Sequence, residues 1–135
     1  MASLSDYAEN KILDHVNGKT SFTMPAAVYM ALLTVLPTDA STGATLTEAT
    51  YTGYARKAIA AADWNAAASG IATNANAITF AACTGGSSTI IGFAIVDSAS
   101  GAGNVLYWGT ITSKVIDTSN TPPSVAAGGL SISLD

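Results

Sequence analysis

Acid–base, nucleophilic and metal chemistry all need titratable side chains at fixed spacing, and this chain has few to offer. It holds one histidine, His15, and one cysteine, Cys83, among 135 residues. Lys and Arg number 5 and Asp and Glu 9, so charged residues make up 10% of the chain, against about 25% in an average soluble domain. A Ser-His-Asp site needs a histidine held by a carboxylate and aimed at a nucleophile. His15 lies beside Asp14, but no Gly-x-Ser-x-Gly elbow occurs. A solvated histidine in the last turn of a helix, where the dipole favours positive charge, accounts for it more simply.

One imidazole and one thiol cannot supply the ligands of a zinc or iron site. The Asp- and Asn-rich loops lack the spacing of a calcium loop. Gly101-Ala102-Gly103 and Thr84-Gly85-Gly86 lead into β-type sequence rather than a helix, so they read as turns, not phosphate loops. Glu48 and Asp63 are a conceivable pair for glycoside hydrolysis, yet nothing in the spacing unites them. Cys83 has no partner for an intrachain disulfide and reads as a small buried hydrophobe. The expectation is a structural or assembly protein, not an enzyme, with no catalytic residue, cofactor or metal.

The net charge of −4 leaves no basic stripe to replace phosphate counterions, which argues against a nucleic-acid partner. No apolar run approaches the roughly 20 residues of a membrane span. The stretch Met1 to Asp6 has neither the basic nor the apolar region of a signal peptide, so synthesis in a cytoplasm is expected. Trp64, Tyr107 and Trp108 could stack a sugar, though packing is the simpler reading. Tyr107 and Trp108 are neighbours on a predicted strand and must point to opposite faces, leaving one of them available to a partner.

The elements that would carry these residues are short. Residues 3–17 read as an amphipathic helix, with a Ser3-x-x-Asp6 capping pattern, Leu4, Ala8, Ile12 and Val16 every fourth residue, and Gly18 as the stop. Residues 28–35 are apolar on both faces and read as a central strand. A strand interrupted near Gly53 is expected in 51–59, and extended or irregular structure in 60–68. Ile78 and Phe80 alternate with Thr79. Residues 90–96 form the strongest strand, with Ile91, Phe93 and Ile95 on one face and Ile90, Ala94 and Val96 on the other. Residues 105–111 return as its hairpin partner. After Pro122-Pro123, Leu130, Ile132 and Leu134 alternate with Ser131, Ser133 and Asp135, giving a buried and a wet face. Short strands separated by Gly, Pro and Ser turns predict a mainly β, single-domain protein over residues 1–135. It is an antiparallel β-sandwich of jelly-roll type over 26–135, preceded by one short N-terminal helix. With one helix to cover a sheet apolar on both faces, part of that surface is expected to meet other copies or a larger protein.

The order and spacing of several segments resemble a family of small tailed-bacteriophage virion proteins. They are Leu4 to Asn10, Ile12 to Gly18, Val28 to Thr34, Pro37 to Asp39 and Gly53 to Arg56, then Asn76 to Phe80, Phe93 to Asp97, Leu106 to Gly109 and Gly129 to Asp135. Members of the family are often labelled tail-fibre proteins, and others of similar size look like capsid decoration, or cement, proteins. Thr118 to Pro123 departs from the family's usual turn. The resemblance implies a virion component without catalytic residues. A short, charge-poor chain with no heptads and no fibrous repeat suits a cement protein on the capsid surface best, with the major capsid protein and other copies of itself as partners and a trimer among the candidate oligomers. The alternative is a tail-fibre or tail-tip accessory, host- or carbohydrate-binding. The interface residues expected are Tyr7, Ile12, His15 and Val16 on the helix and Ile90, Val96, Tyr107 and Trp108 on the strands.

Overall fold

The computed structural model describes residues 2–23 and 25–134, so Met1 and the Asp135 expected on the wet face lie outside the described residues. The elements in chain order are β1 (Ala2–Leu4), α1 (Asp6–Val16), β2 (Ala27–Leu33), β3 (Lys57–Ala60), β4 (Ile71–Thr73), β5 (Ile78–Thr79), β6 (Ser88–Val96), β7 (Val105–Ile116), β8 (Ser124–Val125) and β9 (Ser131–Ser133). A 3₁₀ turn, Ala61–Asp63, occupies part of the stretch expected to be extended or irregular. Five strands form one antiparallel sheet in the order β1-β7-β6-β2-β3. Two two-stranded ribbons, β4-β9 and β5-β8, form beside it. The mainly β character and the single N-terminal helix are as expected. The layer opposite the sheet consists of the two ribbons and their loops rather than a second broad sheet.

The helix starts later than its sequence pattern indicated. Ser3 and Leu4 belong to β1, with Ser3 opposite Trp108. The cap is Ser5, whose hydroxyl accepts from the Ala8 amide at 3.2 Å. Strand pairing takes Ser3 because its backbone groups complete the edge of β7, while the buried Ser5 also donates to the Val105 carbonyl. Gly18, at φ +72°, follows the helix end as expected.

Both faces of the central strands are covered within the chain. Met30, Leu32, Phe93 and Ile95 pack toward the ribbons, with Tyr51, Phe80 and Leu130. Ala31, Leu33, Ala94, Val96 and Val105 face the other way, under Tyr29, Leu46 and Trp108. The exposed sheet face expected from the apolar pattern is therefore absent at β2 and β6, because the loop after β2 folds back and supplies Leu46. Ile90 also departs from expectation. It packs with Phe93 and Ile95 rather than Ala94 and Val96, at the point where the β6-β7 register shifts, with three residues of β7 between Thr110 and Lys114 against one of β6 between Gly92 and Ile90. Such an irregularity bends the strands and disrupts the ladder locally. The interrupted strand expected in 51–59 is shorter, and Gly53 sits in a turn at φ +100°. Its absent Cβ would lie 2.7 Å from the Ala82 carbonyl oxygen.

Candidate functional site

The sequence-expected interface residues do not form one surface. Ile90 and Val96 are corrected outright: they are 1% and 0% exposed, in the protein's own core, and offer nothing to a partner. Tyr107 and Trp108 do point to opposite faces of β7, but both are half-buried, each packed on its own core cluster. The Trp108 indole donates to the Asp39 carboxylate at 3.1 Å. On α1, Tyr7 is half-buried against the core with the Lys11 ammonium over its ring, and Ile12 is half-buried. His15 and Val16 are exposed, and Leu13 with them.

The groups weighed for chemistry are engaged structurally. His15 Nδ1 accepts from the Phe22 amide at 3.2 Å, which ties the segment after the helix back onto it. Asp63 accepts from the Asn76 side chain and the Ala60 amide, and these bonds hold its carboxyl below the usual carboxylate range. Glu48 belongs to a separate network, with Tyr54 and Arg56. Cys83 is buried, its thiol directed at the carbonyls of Gly85 and Gly86. Among the described residues no group of three or more His, Cys, Asp or Glu is placed to hold a metal ion. Nor is any helix there long and apolar enough to cross a membrane.

Two features were missed in the sequence. The first is the chain's one arginine. The Arg56 side chain is 2% exposed and pairs with Glu48 at 2.7 Å. It also donates to the carbonyls of Gly43, in the loop after β2, and of Ser98 and Gly101, both in the β6-β7 loop, joining two loops to the start of β3. Tyr54 extends the network: its hydroxyl donates to Glu48 at 2.6 Å and accepts from the Leu32 amide at 3.1 Å. Burial and the bond to Glu48 push this phenol far above its usual range. A lone arginine in a charge-poor chain was the available signal.

The second is an apolar groove of about 450 Å³. Phe22, Pro25, Ile59, Trp64, Tyr107 and Ile132 line it, with several alanine methyl groups and Asn65. No charged side chain lines it among the described residues. The segment entering β2 forms one wall, and the 3₁₀ turn with the β4-β9 ribbon forms another. Burial pushes the Tyr107 phenol up. A volume in this range suits one small ligand or a few residues of a peptide.

Comparison with known proteins adds a family. The family model described as podophage GP4 fiber I protein gp80 matches residues 3–133. No curated protein matches the chain.

Proposed function

The chain belongs to this podophage fiber I family and is a phage structural protein, and on that footing we propose that it serves as a subunit of the tail-fibre apparatus, without catalytic activity. The match over 131 residues, 3 to 133, carries the reading, because it spans the helix and every strand from β2 to β9. The fold is consistent with a packing role. His15, Glu48, Asp63 and Cys83 are spent on internal hydrogen bonds, and the surface carries few charges beside scattered apolar side chains, Leu13, Val16, Ile111 and Val115 among them. The capsid-decoration reading, foremost from sequence, has no structural feature that favours it over the fibre reading, whereas the family description names a fibre.

Quantitative mass spectrometry of purified virions tests the proposal, with antibody labelling viewed by electron microscopy. A fibre subunit is present in tens of copies or fewer and labels the tail. Hundreds of copies, with label over the shell, would replace the fibre reading with decoration. A turnover reaction abolished by substituting a single side chain would remove the non-catalytic part.

A further inference from the structure

The chain's asparagines are not equally restrained. The side chains of Asn65, Asn74, Asn76, Asn104 and Asn120 are held in hydrogen bonds. Asn10 and Asn17 are exposed. Asn10 lies in the middle of α1, where the helical ladder fixes the backbone. Asn17 caps the C-terminal end of α1 and precedes Gly18, the one place where glycine follows asparagine. Residues 15–21 are all exposed. Gly18 stands at φ +72°, and a Cβ added to it would meet nothing within 4 Å. The Gly18 amide donates to the His15 carbonyl at 3.2 Å and the Lys19 amide to the Asp14 carbonyl at 2.8 Å. These are the paired bonds of a Schellman motif. The Thr20 amide also reaches the Asp14 carbonyl, and the Phe22 amide donates to His15 Nδ1. The segment leading from α1 to β2 is thus tied to the helix end through the residues on either side of Asn17.

An asparagine side-chain amide is an electrophile within reach of the next backbone nitrogen, and a following glycine leaves that nitrogen unshielded because it has no Cβ. At the Asn17 ψ of 1° the two groups are not aligned. Alignment needs ψ to turn, which opens the last turn of the helix. That turn is exposed, and exposed helix ends open at little free-energy cost. Gly18 accepts the new backbone angles without strain. We propose that Asn17-Gly18 is a self-modification site, where the chain converts Asn17 to isoaspartate and so unties the segment between α1 and β2. The Gly18 nitrogen gives up its proton and bonds to Asn17 Cγ, while the bond from Cγ to the side-chain nitrogen breaks and that nitrogen leaves as ammonia. Water then opens the five-membered imide. Attack at Cγ gives aspartate, and attack at the Asn17 main-chain carbonyl gives isoaspartate, with the chain now running through Cγ. One water is consumed, one ammonia is released and nothing is oxidised. The added backbone carbon lies between Asp14 and Lys19, so the Schellman spacing is lost. The new carboxylate also sits at the helix C-terminus, where the dipole disfavours negative charge. The proposal goes beyond the fibre reading and does not depend on where in the virion the chain sits.

The test ages the full chain in buffered oxygen-18 water and maps it by peptide mass spectrometry, with an unstructured peptide of residues 14–21 aged beside it as a clock. Asn17 should be lost before any other asparagine, with one labelled oxygen entering there and isoaspartate present in the product. Asn17→Gln, exposed and therefore expected to fold, should stay unmodified at that position, since its longer side chain cannot close the five-membered ring. Amide hydrogen exchange reads the untying. Lys19 and Phe22 should lose their protection in the isoaspartate form and keep it in Asn17→Asp, which carries the charge without the extra backbone carbon. Survival of Asn17 after the clock peptide has fully converted overturns the proposal. First loss at another asparagine, or aspartate as the sole product, overturns it equally. Wild-type protection of Lys19 and Phe22 in the isoaspartate form would overturn the untying.

Discussion

Arg56 donates to a single oxygen of Glu48 from both Nε and Nη2, at 3.0 and 2.7 Å. That geometry, with Nη1 on the Ser98 carbonyl and Nη2 shared with the Gly43 and Gly101 carbonyls, makes the guanidinium a bolt between β3, the loop after β2 and the β6-β7 loop. Arg56→Ala leaves Glu48 without its counter-charge in a mostly buried site and leaves the three carbonyls unpaired. A loss of about 2–4 kcal/mol in urea unfolding is expected, below the full figure for a buried pair because Glu48 keeps some solvent. Arg56→Lys should recover less than half of it, because one ammonium cannot span acceptors that a planar fork reaches together. Equal stability of the lysine variant and the wild type would show that charge alone, not the fork, holds the loops.

Three phenols titrate late. Burial raises Tyr51, Tyr54 and Tyr107, with the Glu48 bond adding to Tyr54 and Cys83 to Tyr51. Their ordinary value is 10.0. Below that pH both folded and unfolded chains carry neutral phenols, and the stabilisation is fully present. Above it the unfolded phenols ionise while the folded ones hold their protons, so stability falls as pH rises. The urea midpoint should therefore be flat up to about pH 9 and decline beyond 10. Tyr54→Phe should be less stable at neutral pH, since it strands the Leu32 amide and a Glu48 oxygen, yet show a shallower alkaline decline. An unchanged alkaline slope in that variant would assign the effect to the other two rings.

Two of the expected interface residues, one buried and one exposed, separate folding from assembly. Ile90 is 1% exposed and Val16 75%. Ile90→Ala should cost about 2–5 kcal/mol through the cavity it leaves, and Ile90→Asp should not yield a folded chain. Val16→Asp should fold with a stability within about 0.5 kcal/mol of wild type. If α1 meets a neighbour in the virion, Val16→Asp will be excluded from particles while folding normally. Full incorporation would place the contact elsewhere on the chain.

Much of the architecture is legible in local pattern. The 3.6-residue period of α1, the double-sided apolar run of β2 and the β6-β7 hairpin all follow from side-chain periodicity, which burial enforces directly. What escapes is set by distant partners. Ile90 changes face where the register against β7 shifts, which the alternation of residues 90–96 does not record. Ser5, not Ser3, caps α1 because β7 claims Ser3 as an edge partner. Arg56 finds its acceptors 42 to 45 residues away at Ser98 and Gly101. The groove joins Phe22, Trp64, Tyr107 and Ile132 from four separate segments, and a set assembled by topology has no signature in spacing.

The competition between Ser3 and Ser5 can be measured. Ser5 is fully buried, accepts from the Ala8 amide and donates to the Val105 carbonyl. Ser3 is exposed in β1. Ser5→Ala removes an N-cap and leaves a buried carbonyl without its side-chain partner, so a loss of about 1–3 kcal/mol is expected. Faster hydrogen exchange at the first turn of α1 should accompany it. Ser3→Ala should change stability by less than about 0.5 kcal/mol, since its backbone pairing with Trp108 survives. The helix N-terminus is pinned through Ser5 to the first residue of β7, so Ser5→Ala should also loosen the β1-β7 edge. Amide exchange at Leu106 and Tyr107 reads this second effect, and protection there equal to wild type would confine the role of Ser5 to the helix.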